Sequence, residues 1–378
     1  MSRTQIIGLN LLHALPEIGG GWNYIQNLMV GLGEFGGAYT YVAFVNKSSV
    51  ALVPRKDNFR IVVIPLDCRS RVLRIGFENT VLQILAKLYG VHCMHWFSST
   101  MGVANTVPSV VTVYDLQVFS EYMNHTKLIK RLYLQAMIRR VGRRADMLLP
   151  ISALTAGDLH AYTAARQDRI RVIPPILGPE YSVASADAVV AFRQKYRLPD
   201  KFWIYVAHLY PHKNHVNLFR AYHLLKQDGT RPWKLVLRGN PAGAEDDVHA
   251  CIRELGLAND IIWLPRLETA EMAKLYSAAS GLVFPSSYEG AGIPVLEALG
   301  CGCPVISANL PSVREFVAEV VTYFDSKDPV AIADAMRNFQ QNVSVEDLRS
   351  KGIERAAQFR AQYVIPFLLE SYQDACDS

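Results

Sequence analysis

Residues 286–304 read SSYEGAGIPVLEALGCGCP, and this stretch decides how the rest of the chain is understood. The apolar run just ahead of it, 281–284, reads as a strand, and the loop that follows carries Tyr288, Glu289, Gly290, Ala291 and Gly292. Pro294 then opens a helix, a place that suits proline because an amide there would have no intrahelical partner. Small residues before a helix start let a ligand approach the backbone. The free N–H groups and the positive end of the helix dipole favour a diphosphate. Glu289 stands beside that cradle with a carboxylate that can accept from hydroxyl groups. Glu297, eight positions on, has two readings: an acceptor for ribose hydroxyls, or a first-turn glutamate that favours the helix dipole by roughly 0.3–1 kcal/mol.

Outward from this segment, short β-rich runs alternate with helical patterns, the signature of parallel sheets wrapped by helices. Strands are expected at 5–11, 39–45, 60–64, 93–97, 109–114, 147–151 and 170–173, with helices at 22–32, 72–89, 127–144 and 153–163. A second alternation places strands at 202–207, 233–237, 261–264, 281–284 and 305–307, and helices at 217–226, 246–255, 269–278, 294–299 and 329–341. The length, 378 residues, suits two domains of similar mass. Pro174, Pro175, Gly178 and Pro179 put the junction within 173–188. The fold class is α/β, two Rossmann-like doubly wound domains in tandem, with ligand expected between them at the carboxyl-end loops. Gly31, Gly33 and Gly36 spell a G-x-G-x-x-G, but they follow a helix pattern, so a dinucleotide site is rejected and a helix C-cap and turn explain them.

Half of the residues are apolar and 19% are charged, without low-complexity stretches, so the whole chain is expected to fold. The opening MSRTQIIGLNLL reads as a first strand, since no small-residue cleavage site follows it, and no apolar run approaches membrane-spanning length. A cytoplasmic protein is expected. Six cysteines form no Cys-x-x-Cys pair and lack partners at zinc spacing, so neither disulfides nor zinc are expected. The net charge of +5 is unevenly spread. Lys127, Lys130, Arg131, Arg139, Arg140, Arg143 and Arg144 alternate with Leu128, Leu132, Tyr133, Met137, Ile138 and Val141 at helical spacing. Two readings of this basic helix stand: packed on the core with a solvated basic face, or touching anionic lipid or a phosphate-bearing acceptor. Nucleic acid is not expected, because no aromatic platform or recognition helix accompanies the charge.

The longer run PSSYEGAGIPVLEALGCGCPVIS resembles the glutamate, seven residues, glutamate motif of retaining glycosyltransferase family 4, whose fold is the two-Rossmann GT-B arrangement. The chain also has a general likeness to bacterial polysaccharide and O-antigen mannosyltransferases. It implies that Glu289 contacts the transferred sugar, helped by amides at Gly290, Ala291 and Gly292, and that Glu297 holds the ribose. AHLYPHKNHVNLFRAYHLL is similar to the segment after the family's first C-terminal strand, which implies Lys213 on the donor diphosphate; the plainer alternative is an exposed loop lysine. His208 stands where many members carry an arginine, so donor neutralisation can lean on Arg238 or Arg266. Gly19, Gly20 and Gly21 resemble the family's glycine loop near donor phosphate and acceptor, with a simple tight turn as the alternative.

VVTVYDLQVF resembles the family's strand and loop that often reads Val-His-Asp-Leu, with Tyr114 at the histidine position. Tyrosine can bond a hydroxyl but is no near-neutral proton carrier, which leaves Asp115 as the polar, candidate catalytic group beside Glu289 and Lys213, or as an ordinary capping residue. His95 reads either as an acceptor-side contact or as a satisfied core histidine. The resemblance implies an acceptor-binding domain over 1–180, a sugar-nucleotide domain over 181–359, and a terminal helix at 360–378 that returns to the first domain and is kinked at Pro366.

The function implied is hexose transfer with retention, mannose from GDP-mannose being favoured over UDP-linked sugars, to a glycan or lipid-linked acceptor. No cofactor is expected beyond the nucleoside diphosphate sugar as co-substrate. No metal is expected either, as Asp-x-Asp is missing from the sequence. A sugar-nucleotide epimerase and a non-catalytic partner subunit of the same fold are the rivals.

Overall fold

The computed structural model describes residues 5–16, 19–121, 128–342 and 345–378. Two compact units form, Met1–Ile176 with Phe359–Ser378, and Leu177–Gln358.

The first unit holds a six-stranded parallel sheet of β1 (Ile6–Leu11), β2 (Thr40–Val45), β3 (Phe59–Val63), β4 (Cys93–Trp96), β5 (Ser109–Val113) and β6 (Met147–Pro150), in the order β3-β2-β1-β4-β5-β6. Strands β4, β5 and β6 are buried along their whole length, as parallel strands covered on both faces must be. Around the sheet lie α1 (Gly20–Phe35), α2 (Arg71–Asn79), α3 (Val81–Leu88), α4 (Leu128–Arg144) and α5 (Ala153–Thr163). One core cluster joins Phe44, Leu82, Trp96, Val111, Val141 and Leu148. Because β1 pairs with both β2 and β4, the strand order reverses between β1 and β4.

Three expectations are corrected here. The helix expected at 72–89 is two helices, broken at Thr80, whose backbone at φ −127°, ψ −83° is not helical. The strand expected at 170–173 reduces to a single bridge between Leu148 and Ile170. Helix α1 begins at Gly20, two residues earlier than expected, and runs to Phe35 with Gly36 at its C-cap. Within α1, Gly31 serves close packing, since a Cβ there would come within 2.9 Å of Ile365.

The second unit repeats the plan with β7 (Phe202–Val206), β8 (Lys234–Arg238), β9 (Ile261–Trp263), β10 (Gly281–Phe284), β11 (Val305–Ala308) and β12 (Thr322–Phe324), ordered β12-β11-β10-β7-β8-β9 and parallel throughout. Its helices are α6 (Ala186–Tyr196), α7 (His215–Gln227), α8 (Glu245–Glu254), α9 (Thr269–Ala278), α10 (Ile293–Gly300), α11 (Pro311–Val317), α12 (Pro329–Asn342) and α13 (Val345–Ala357). Helices α6, α11 and α13 and strand β12 were not expected. Their signals are weak: α6 buries only Phe192, and α13 buries only the small Gly352 and Ala356.

The last helix, α14 (Ala361–Asp377), belongs to the first unit. Val364, Ile365, Leu368, Tyr372 and Ala375 recur at helical spacing and are all buried. Pro366 lies inside the helix without ending it. Arg171 pairs with Glu370 at 3.3 Å and with Asp374 at 2.8 Å on its outer side.

Candidate functional site

The loop between β10 and α10 is held from several sides. Gly292 takes φ 67°, ψ 43° at the helix N-cap, a left-handed conformation that carries no Cβ penalty for glycine, and Pro294 follows in the first turn. Tyr205, on β7, donates its hydroxyl to the Lys213 carbonyl at 2.6 Å, and the Ser287 amide donates to the His212 carbonyl at 2.8 Å. The Asn214 amide group reaches the Pro285 carbonyl at 3.0 Å, and Ser312 Oγ donates to the Glu289 carbonyl at 2.8 Å. The turn after β7 and the loop after β10 are thereby fixed against each other.

On this frame Lys213 Nζ donates to both carboxylate oxygens of Glu289, at 2.7 and 2.8 Å, with the two side chains only 18% and 10% exposed. The lysine was expected on a diphosphate and the glutamate on a sugar; in the structure they pair with each other. Such a pair is costly to break by removing one partner, because the other charge stays desolvated.

His208 lies close by. Its Nδ1 accepts from the Asn240 amide at 3.0 Å, which puts the ring proton on Nε2. Burial, then Arg238 and Lys213, lower its pKa, so it presents a neutral N–H in place of a cation. Arg238 is itself pulled down by burial, opposed by Tyr276, and its Nε has no hydrogen-bond partner among the described residues. Arg266 is exposed and adds repulsion to Arg238.

Glu297 is buried rather than open at the helix surface, and Tyr276 donates its hydroxyl to Glu297 Oε2 at 3.0 Å. Tyr181 also faces this carboxylate. Burial first and Glu297 next push the Tyr181 hydroxyl pKa upward. Tyr276 and Tyr181 were missed by sequence reasoning. The usable signal was the glutamate itself, since a buried carboxylate needs donors. The first-turn dipole reading is corrected: Glu297 is the fifth residue of α10, and the first turn of that helix holds no acidic residue.

In the first unit, Gly19 precedes α1 at φ 62°, and among the described residues the helix has no side-chain cap and a Cβ at Gly20 would meet nothing within 4 Å. Gly20 and Gly21 therefore begin a helix whose first amides have no side-chain cap among the described residues. Tyr114 stands edge-on to Tyr24 at 5.4 Å, and its hydroxyl, raised by burial, has no partner among the described residues. Asp115 Oδ1 accepts from the Gln117 amide at 2.9 Å and helps push the Asp158 pKa up. His95 is corrected to a core residue: its Nδ1 is 2.8 Å from the Tyr372 hydroxyl and its Nε2 2.8 Å from Thr112 Oγ1, so no ring nitrogen is left for a ligand.

The basic helix differs from its expected packing. Lys127 lies outside the described residues. Leu128, Leu132 and Tyr133, which one of the two readings packs on the core, are exposed, and so is Ile129, by 84%. Only Ile138, Val141 and Gly142 of α4 are buried. Arg131 is turned onto the Val118 and Ser120 carbonyls, both at 3.1 Å. No helix among the described residues is long and apolar enough to cross a membrane, and no group of three or more metal-binding side chains occurs among them.

Residues 191–359 match the family model for glycosyl transferases group 1, and residues 18–180 match that for glycosyltransferase family 4. The chain is 30% identical over 254 residues to the O-antigen chain mannosyltransferase B of Escherichia coli, covering 66% of each protein. It is 28% identical over 225 residues to the serotype-specific mannosyltransferase WbdA of Escherichia coli, covering 57% of this chain but 27% of that one. The matched stretch thus spans just under two thirds of the first relative and about a quarter of the second. Sucrose-phosphate synthase from Thermosynechococcus elongatus superposes with a TM-score of 0.79 over 98% of both chains at 21% identity, a likeness of fold.

Proposed function

The chain belongs to the family 4, group 1 glycosyltransferases of GT-B fold, and from that premise we propose that it moves a hexose from a nucleoside diphosphate sugar to a hydroxyl of a glycan or lipid-linked acceptor. The observation that carries this reading is the Lys213–Glu289 pair set at the open end of α10. A diphosphate arriving at the α10 amides competes for the ammonium of Lys213. As Lys213 turns to the phosphates, both Glu289 oxygens are released to accept from sugar hydroxyls, so binding of the donor's two halves is coupled. Charge developing on the leaving diphosphate is then met by Lys213 and the amides near Gly290, Ala291 and Gly292. His208 contributes a fixed neutral N–H, with Arg238 and Arg266 as the cations beside it. Glu297, steadied by Tyr276, is the ribose acceptor. On the first unit, Gly20 and Gly21 offer helix-start amides, and Tyr114 and Asp115 are the acceptor-side polar groups.

Mannose from GDP-mannose is the favoured donor because two relatives are mannosyltransferases, with UDP-linked sugars as the alternative. The motif supports retention at the anomeric carbon, and the cations Lys213, Arg238 and Arg266 support independence from metal. The product belongs to bacterial surface polysaccharide. Exposed Leu128, Ile129, Leu132 and Tyr133, next to Lys130, support a peripheral contact with anionic membrane on the cytoplasmic side.

The test is thermal unfolding against GDP-mannose and a panel of UDP-sugars, followed by transfer assays with added magnesium or chelator. A donor at 100 times its dissociation constant should add about 2.7 kcal/mol. Stabilisation by none of these sugars, in a protein that also hydrolyses none, would sink the reading.

A further inference from the structure

Two thiols of the first unit meet where its last helix crosses its sheet. Cys93 opens β4, and Cys376 lies in the final turn of α14. His95, two residues along β4 from Cys93, has its Nδ1 2.8 Å from the hydroxyl of Tyr372, which stands four residues before Cys376. A two-residue step on a strand keeps to one face and advances about 7 Å. A four-residue step on a helix also keeps to one face and advances about 6 Å. The steps match, so with the helix running opposite to the strand, the rung next to His95–Tyr372 sets Cys93 against Cys376. The two thiols are hydrogen-bonding neighbours there. Tyr39, just before β2, holds the last turns of α14 to the same end of the sheet, its hydroxyl 3.2 Å from the Leu369 carbonyl and 3.3 Å from Gln373 Oε1. Burial first, then Cys376 and Cys93, push that hydroxyl up to about 12, which places both thiols beside it.

The two thiols are unequal. Of the six cysteines, all of them described, five are buried and Cys376 is half-buried. The hydrogen bond from Cys93 lowers the Cys376 pKa, against burial and the charge of Asp377. The same bond, then burial and the charges of Cys376 and Asp146, raise the Cys93 thiol well above its ordinary value. One sulfur is therefore within reach of solvent and is the readier thiolate, while the other is sheltered and keeps its proton. That is the division between an attacking and a resolving thiol. Burial raises Cys68, Cys251 and Cys303 in contrast, which makes them poor nucleophiles.

We propose that Cys376 is an oxidation site resolved by Cys93, so that hydrogen peroxide closes a disulfide fastening the last turn of α14 to β4. The Cys376 thiolate attacks one peroxide oxygen: an S–O bond forms, the O–O bond breaks, and the departing hydroxide takes up a proton to become water. The Cys93 sulfur then displaces the sulfenic oxygen, forming the S–S bond and giving its proton to a second water. Two thiols lose two electrons and two protons, and the peroxide becomes two waters. A thiol reductant reopens the bond by exchange. Once closed, the bond spans a loop that contains the whole second unit, and it ties down the helix end that completes the first.

The test treats the full chain with hydrogen peroxide, blocks the remaining thiols with iodoacetamide and maps the peptides without reductant. A linked Cys93–Cys376 peptide should form and should vanish on addition of dithiothreitol. Amide exchange in the last turns of α14 should slow about tenfold or more as the bond forms. Dimedone, which traps sulfenic acid, should label Cys376 about tenfold more in Cys93→Ser than in wild type, because the resolving sulfur is gone. Cys376→Ser should abolish both the linkage and the slowed exchange. Linkage and exchange are read on wild type, so they do not depend on how the variants fold. Four results would each overturn the proposal: no linked peptide at any peroxide concentration, Cys376 linked only between two molecules, unchanged exchange in α14 once the bond has formed, or equal dimedone labelling in Cys93→Ser and wild type.

Discussion

At the carboxyl edge of the second unit, charges are matched in advance: Lys213 holds both oxygens of Glu289, and Tyr276 holds Glu297. At the same edge of the first unit, around β1 and β4, His13 is neutral, and it and Trp96 Nε1 have no hydrogen-bond partner among the described residues. The contrast follows from what each edge must tolerate. A desolvated ion cannot wait alone, because its burial costs several kcal/mol, whereas an unpaired neutral group costs about 1–3 kcal/mol. Charged chemistry is therefore stored as an internal pair that a ligand must exchange. A neutral group can stay buried without an exchange partner.

The sharpest way to break this comparison is to remove one charge. Glu289→Ala and Lys213→Ala should each lower transfer by about a hundredfold or more. Each should also destabilise the fold by about 3 kcal/mol in urea melts, with the double variant costing less than the sum. Additive losses would mean that the pair is not a unit. An acid titration of stability comes next. His13, His95 and His215 each have a folded pKa lowered to about 3 by burial first of all. The unfolded chain binds these protons from about pH 6.5 downward while the folded chain does not, so stability is full above pH 6.5 and is lost as pH falls toward 3. Each histidine should contribute a slope of at most about 1.4 kcal/mol per pH unit, and His13→Phe should remove one such share. A slope unchanged in that variant would mean that His13 is not held neutral.

Smaller effects test the supporting contacts. Tyr276→Phe, which removes a donor from buried Glu297, should cost about 1–3 kcal/mol and weaken donor binding, as read by calorimetry. Ile129→Glu, on the exposed turn of α4, should change stability by less than about 0.5 kcal/mol and yet reduce sedimentation with vesicles rich in anionic lipid. Equal sedimentation of the variant and wild type would remove α4 from any membrane surface.

Much of the fold was legible because buried parallel strands are short β-branched runs such as SVVTV and GLVF, and each was found within a residue or two of its place. What stayed hidden had no apolar signal to give. Helix α13 packs through small residues, β12 is three residues long, and the break at Thr80 interrupts an otherwise continuous helical pattern. The loop before α10 was legible as a whole, since its glycines and proline have local causes. Its central contact was not, because Lys213 and Glu289 are 76 positions apart and no spacing rule joins them. His95 was ambiguous for the same reason: Tyr372, which settles its place in the core, is 277 positions away. His13 was passed over because a single histidine in a loop carries no pattern, and only its burial makes it informative.

The return of α14 to the first unit also has a consequence for synthesis. Residues 177–358 are contiguous, whereas the first unit includes residues 359–378, among them the Tyr372 whose hydroxyl meets His95. On a ribosome, where domains tend to fold as they emerge, the second unit has all of its sequence before the first has its own. The unit begun first is finished last, and until then it must wait with the seat of α14 uncovered, a period in which chaperone binding or aggregation has its opportunity.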